Sequence, residues 1–118
     1  MKKIISAIVV SVLLISSAAF AQKNTEVLKI NTSAQCGQCK ARIETAMAYE
    51  KGVVNSDLDV ESKVLTVTYK PSKTTPDKIR KALNEIGYDA DNTMANVEAY
   101  SKLPGCCKKP DDPDHVSH

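Results

Sequence analysis

The chain has 118 residues, no tryptophan, and 16 lysines and arginines against 14 acidic residues, for a formal net charge of +2. A chain of this length folds around one modest core, and its near-balanced charge gives no electrostatic footprint for nucleic acid or for an anionic membrane. One Phe and four scattered Tyr exclude a base-stacking platform as well.

Lys2 and Lys3 precede a run from Ile4 to Ile15 that is almost wholly apolar, and Ala19-Phe20-Ala21 puts small residues at the two positions a signal peptidase reads. Residues 1–21 are expected to be a secretory signal peptide removed after Ala21, because the apolar run is too short for a membrane span. The exported chain then has no stable membrane insertion, and its expected location is the periplasm. Loss of Lys2 and Lys3 leaves 14 basic residues against 14 acidic ones, a net charge of zero, with lysines interleaved among acids as on an ordinary solvated surface. All four cysteines are kept, and in an oxidising compartment paired cysteines default to disulfides.

Val27, Leu28 and Ile30 make a short strand within 25–31, and Asn31-Thr32-Ser33 signals a polar loop. Cys39, Ile43, Ala46 and Met47 then recur at helical spacing as far as Lys51-Gly52, where Gly52 fits the left-handed residue after the last turn. Val54, Leu58 and Val60 alternate with polar residues, Glu61-Ser62-Lys63 turns the chain, and Leu65, Val67 and Tyr69 alternate in the second strand of a hairpin. Thr74-Thr75-Pro76 opens a second helix with a hydroxyl cap and an early proline, and Ile79, Ala82, Leu83 and Ile86 share one face before Gly87 ends it. A short edge strand is expected within 88–96, diluted by Asp89, Asp91, Asn92 and Asn96. Asn96 caps a brief helix through Tyr100 and Leu103 that Pro104-Gly105 halts, and the residues beyond read as an irregular or disordered tail. This order predicts an α+β, ferredoxin-like βαββαβ sandwich, a four-stranded antiparallel sheet with two helices on one face. The loop before the first helix then lies exposed at a sheet edge.

The chemistry concentrates in Cys36-Gly37-Gln38-Cys39. At the mouth of a helix, unpaired N–H groups and the positive end of the macrodipole favour thiolate over thiol. Such a pair can bind a soft metal, exchange with a disulfide, or close on itself as an inert bridge. The Cys-Gly-x-Cys form suits thiol-disulfide exchange, but Gln35 stands where redox proteins of the thioredoxin type carry an aromatic, and the order of elements is not theirs. Two sulfurs on one exposed loop suit Cu(I) or Hg(II) in low coordination, whereas zinc prefers four ligands. An open site of that kind lets a partner's cysteines enter while the first pair still holds the ion.

Residues 26 to about 91 resemble the heavy-metal-associated domain, the fold of copper chaperones, of the metal-binding modules of copper-pumping ATPases, and of the periplasmic mercury-binding protein. The likeness rests on the cysteine pair together with Gly52-Val53, the strand Val64-Leu65-Thr66-Val67-Thr68-Tyr69 before Lys70-Pro71, Ile79 with Ala82 and Leu83, and Gly87-Tyr88-Asp89-Ala90. It implies a heavy-metal-associated domain over 22–98 and a Cys-containing C-terminal tail over 99–118. It also implies that Cys36 and Cys39 are the metal ligands, with Tyr88 approaching them from the loop after the second helix. Where the family usually has Gly-Met-x before the first Cys, this chain has Ser33-Ala34-Gln35, and the smaller Ala34 predicts a looser metal loop. Gln35, in place of the Asp common in zinc and cadmium binders, favours copper.

Cys106-Cys107 falls outside that pattern. Adjacent cysteines rarely bridge each other without strain, so they pair elsewhere, stay as thiols, or join Cys36 and Cys39 as auxiliary metal ligands if the brief helix packs the tail back on the sheet. His115 and His118 offer a weak, harder site or a plain solvated terminus. Met47 is expected in the core, Met94 is assigned to neither core nor metal, and Lys40 and Arg42 either offset the charge of a bis-thiolate complex or are surface.

The expected function is therefore that of an exported carrier, not an enzyme, monomeric as apo protein. It binds Cu(I) in the first place, with Hg(II), Ag(I) or Zn(II) also open, and passes the ion to a membrane metal transporter or another metal-binding protein. Thiol-disulfide exchange by the same pair is the alternative, and protective scavenging without a docking partner is a third reading.

Overall fold

A computed structural model describes residues 24–116, so the expected signal peptide and His118 lie outside the described residues. In chain order the elements are β1 (Glu26–Asn31), α1 (Gly37–Tyr49), β2 (Val53–Asp59), β3 (Val64–Tyr69), α2 (Pro76–Glu85), α3 (Val97–Ser101) and a 3-10 turn at Gly105–Cys107. The sheet is antiparallel in the order β1-β3-β2. Its middle strand alternates with a period of two, which buries Leu65, Val67 and Tyr69 and sets Ile30 and Leu58 opposite Leu65 from either side.

On β2 the register slips between Val53 and Asn55, so that Val53 pairs with Tyr69 and Val54 turns outward, 54% exposed. Simple alternation points Val54 inward, and the one-residue bulge reverses it. Cys39, Ile43 and Met47 on α1 meet Ile79 and Leu83 on α2 in a single core with the inward residues of the sheet. Thr75 caps α2, its Oγ1 accepting the Lys78 N–H at 3.3 Å with Pro76 following at the first helical position. Lys63, at φ 63, closes the hairpin in the left-handed region.

The edge strand expected within 88–96 is reduced to an isolated bridge between Ala90 and Thr32. Asp91 takes φ 51, and the Thr93 N–H returns to the Ala90 carbonyl at 2.9 Å, so the chain turns away before a ladder can grow. One backbone bond, the Asp91 N–H on the Asn31 carbonyl at 2.8 Å, is completed by the side chain: Asp91 Oδ1 accepts the Asn31 N–H at 2.9 Å while its Oδ2 accepts from Arg80 Nε at 2.8 Å. The architecture is α+β, consistent with a ferredoxin-like fold, but with three strands rather than four among the described residues.

The C-terminal segment is folded, contrary to the reading of an irregular or disordered tail. Asn96 caps α3 by accepting the Ala99 N–H at 2.9 Å, and Leu103, Cys106 and Cys107 join the core. Among the described residues no helix is long and apolar enough to cross a membrane.

Gly52 has φ +85, and a Cβ built there sits 2.7 Å from Thr74 Cγ2, whose residue is itself buried. Gly52→Ala is expected to destabilise the fold by ~1–3 kcal/mol, combining left-handed strain with the clash, measured as a lower urea midpoint at unchanged slope.

Candidate metal centre

The polar loop ahead of α1 is held from several sides. Thr32 Oγ1 accepts the Ala34 N–H at 3.2 Å, Ser33 Oγ accepts the Asp89 N–H at 2.9 Å, Gln35 Nε2 donates to the Ser33 carbonyl at 2.9 Å, and Lys63 Nζ donates to Gln35 Oε1 at 3.2 Å. Ala34 is fully buried in the core. Around this small residue, where a looser loop is expected, the loop is tied by these hydrogen bonds.

Cys36 stands at the N-cap of α1 in extended conformation, and no side-chain hydrogen bond caps the helix. The first-turn N–H groups are thus left facing its sulfur. Cys36 Sγ lies 3.6 Å from Cys39 Sγ, 3.2 Å from Cys106 Sγ and 3.8 Å from Cys107 Sγ. The sulfurs of Cys36, Cys106 and Cys107 all fall within 4.8 Å of one another, and all four cysteines are free thiols. Cys39, Cys106 and Cys107 are buried and Cys36 alone is partly open. The expected exposed two-sulfur loop is therefore a covered, four-sulfur arrangement with Cys36 as its hub.

Burial opposes ionisation of Cys36, but the backbone N–H of Cys39, the Cys106 and Cys39 thiols and the Gln38 N–H together outweigh it and bring its pKa down to about 7. None of those N–H groups makes a full capping bond, so their effect is that of oriented dipoles close to the sulfur. Protonated, Cys36 donates to Cys106, whose own S–H goes to Gln38 Oε1 at 3.3 Å. Ionised, Cys36 accepts in its turn, which raises the Cys106 thiol, with burial adding to the rise. Burial, then contact with Cys39, pushes Cys107 well above the ordinary thiol range. As pH rises through neutrality the hub is the first of these thiols to ionise, ahead of its tail neighbours.

Tyr88 is fully buried and its hydroxyl has no oxygen or nitrogen partner among the described residues. It lies beside the Cys107 and Cys39 thiols, and burial first, then those sulfurs, hold its phenol far above the usual range. It is a neutral O–H without an oxygen or nitrogen partner, next to the sulfur cluster.

The tail is clasped to the domain by polar contacts away from the sulfurs. Lys109 Nζ meets Asp89 Oδ2 at 2.6 Å, the Tyr100 hydroxyl donates to Asp112 Oδ2 at 2.8 Å, and the same hydroxyl accepts the Lys109 N–H at 2.9 Å. His115 Nδ1 lies 2.7 Å from the Lys108 carbonyl, so it braces the tail and stands outside the sulfur group. Lys40 Nζ is committed to Glu44 Oε2 at 2.8 Å, Asp57 Oδ1 at 2.9 Å and the Leu58 carbonyl at 2.8 Å, a structural knot rather than a counter-charge for sulfur. Arg42 is exposed, Met47 is in the core, and Met94 is exposed. Sequence reading missed the clasp formed by Asp89, Tyr100, Lys109 and Asp112, and the adjacent Cys106 and Cys107 were the one signal that the tail mattered.

The heavy-metal-associated domain model matches residues 33–89. The chain is 31% identical over 64 residues to the copper chaperone CopZ of Staphylococcus aureus, an alignment covering 54% of this chain and 93% of that protein. Among solved structures it is similar to a CopZ metallochaperone, with TM-score 0.53 and 29% identity over 55% of this chain and 98% of that one. It is similar as well to oxidized MerP from Ralstonia metallidurans CH34, with TM-score 0.55 and 25% identity over 57% of this chain and 94% of that one. Cys106 and Cys107 lie beyond the residues the domain model matches.

The lowered pKa of Cys36 has a direct readout. Its alkylation by iodoacetamide is expected to speed up as pH rises through about 7, where the thiolate forms, and to level off above it. Peptide mass spectrometry across a pH series follows this, and a midpoint near about 8.5, the ordinary thiol value, contradicts it.

Proposed function

The chain belongs to the heavy-metal-associated domain family, and on that premise we propose that it is an exported soft-metal carrier. It binds Cu(I) in the first place, with Hg(II), Ag(I) and Zn(II) as weaker claimants, through the thiolates of Cys36 and Cys39, and hands the ion on by thiolate exchange. One observation carries this reading: Cys36, poised as a thiolate near neutral pH and partly open to solvent, has three other sulfurs within 3.8 Å. Soft thiolates without carboxylate or imidazole beside them select soft ions over hard ones. The buried Tyr88 hydroxyl supplies a donor to the negative charge that builds up on the sulfurs when they hold a monovalent ion.

Exchange follows from exposure. An incoming thiolate reaches the ion on the Cys36 side, adds as a further ligand, and the original sulfurs leave one at a time, so the ion is never bare. The fitting partner is a membrane metal transporter or another metal-binding protein that offers its own thiolates. The basic and apolar leader at residues 1–21 supports export, with the periplasm as the working compartment and a monomer as the apo form. The protein works as a carrier and not as a catalyst.

Thiol-disulfide exchange is the second reading, favoured by the 3.2 Å approach of Cys106 Sγ to an acidic Cys36 thiol. Catalysed reduction of a test disulfide in the absence of metal separates the two.

Cu(I) titration of the reduced protein against a competing chelator is expected to give one tightly held ion per chain. Cys36→Ser should weaken it by more than about 100-fold, beyond what the loss of an outer contact costs. Binding no tighter than that of an unstructured dithiol peptide overturns the carrier reading.

A further inference from the structure

The residues that fold Cys106 and Cys107 over the cysteine pair lie outside the part of the chain that the family accounts for. Their placement is nonetheless specific. The 3-10 turn Gly105–Cys107 is closed by the Cys107 N–H on the Pro104 carbonyl at 2.9 Å, and the Val116 N–H returns to the Gly105 carbonyl at 3.0 Å. The turn is then fixed to the domain through Lys109, Tyr100 and Asp112, none of which touches a sulfur through its side chain. The outcome is two buried thiols delivered to the single partly open one.

We propose that the tail completes a three-thiolate metal site, in which the resting ion is held by Cys36, Cys106 and Cys107 while the Gly105–Cys107 turn serves as its lid. The proposal rests on the soft-metal reading above and specifies its site. Sulfur spacing admits both candidate ligand sets with similar movement, and the tethering of the sulfurs separates them. With a metal–sulfur bond of ~2.3 Å, two sulfurs on opposite sides of one ion stand ~4.6 Å apart, whereas three around it in a plane stand ~4.0 Å apart. Cys36 to Cys107 is 3.8 Å, Cys36 to Cys106 is 3.2 Å and the third edge lies within 4.8 Å, so a planar three-sulfur site needs one edge to open by roughly 0.8 Å. Cys36 to Cys39 is 3.6 Å, and a linear pair must spread by roughly 1 Å.

The sulfur that would have to move is the less free one. Cys39 is fully buried on α1 and its Sγ already accepts the Gln35 N–H at 3.3 Å. Cys106 and Cys107 sit on a short turn whose tethers are distant from the sulfurs and can adjust with it. On binding, the ion replaces the remaining S–H protons, which leave to solvent. Displacing the turn removes two ligands together and returns the ion to Cys36 and Cys39, the pair that an incoming partner can reach.

X-ray absorption at the copper edge on the reduced full chain loaded with one equivalent of Cu(I) tests this. Three sulfur neighbours are expected, and the Cys106→Ser/Cys107→Ser variant is expected to show two, with affinity at least about tenfold weaker in chelator competition. Two sulfurs in the unaltered protein overturn the proposal and leave the carrier reading standing on Cys36 and Cys39. Failure of the unaltered protein to take up Cu(I) overturns the carrier reading and the three-sulfur site together. Cys39→Ser, which leaves the tail intact, is expected to keep three sulfurs, and loss of one there overturns the proposal however the double variant folds.

Discussion

The mouth of α1 is left uncapped, and the site is built around that omission. Thr75 and Asn96 close α2 and α3 with side-chain oxygens at 3.3 Å and 2.9 Å, while Cys36 closes α1 with no side-chain hydrogen bond. An uncapped helix start sacrifices ~1 kcal/mol of local stability and leaves backbone N–H groups in want of an acceptor. A thiolate meets that want with negative charge instead of a hydroxyl, which is why the hub cysteine ionises more readily than an ordinary thiol. A conventional Ser, Thr or Asp cap would make a better helix and leave no thiolate at its mouth, a local conflict of the kind functional positions display.

The rest of the fold brings other groups to that point. The bridge from Thr32 to Ala90, the Asp91 carboxylate on the Asn31 N–H, and Ser33 on the Asp89 N–H lock the loop before α1 to the loop after α2. Gly87, at φ +104, leaves no room for a Cβ, since one would stand 3.0 Å from the Ala99 carbonyl oxygen. That close approach draws α3 against the end of α2, and the Asn96 N–H on the Asn84 carbonyl at 2.9 Å holds it there. From α3 onward the chain runs back to α1, and the Asp89 to Lys109 ion pair ties it to the domain. Leu103 and both tail cysteines then count among the buried core, so covering the cysteine loop and stabilising the domain are one packing event.

Much of this was legible in the residues themselves. Period-two alternation marked β3, the spacing of Cys39, Ile43 and Met47 marked the buried face of α1, and the Thr75 and Asn96 caps sit where hydroxyl and amide side chains precede helical runs. The cysteine pair with its flanking pattern identified the family. What escaped has a common physical cause, dependence on partners distant in sequence. The bulge that swaps Val53 for Val54 is set by pairing with Tyr69, and the fourth strand fails because Asp91 turns left-handed to serve Asn31 and Arg80. The tail looks disordered by composition, being rich in Lys, Asp and Pro, and acquires structure only because Tyr100 and Asp89 wait for it across the fold.

The central claim is that a soft ion rests on the sulfur of Cys36. Anomalous diffraction at the copper edge, from crystals of the Cu(I)-loaded protein, locates the ion without reference to any variant. A single peak within bonding distance of Cys36 Sγ is the predicted result. A peak away from Cys36, whether at His115 or among the acidic residues of the tail, contradicts it.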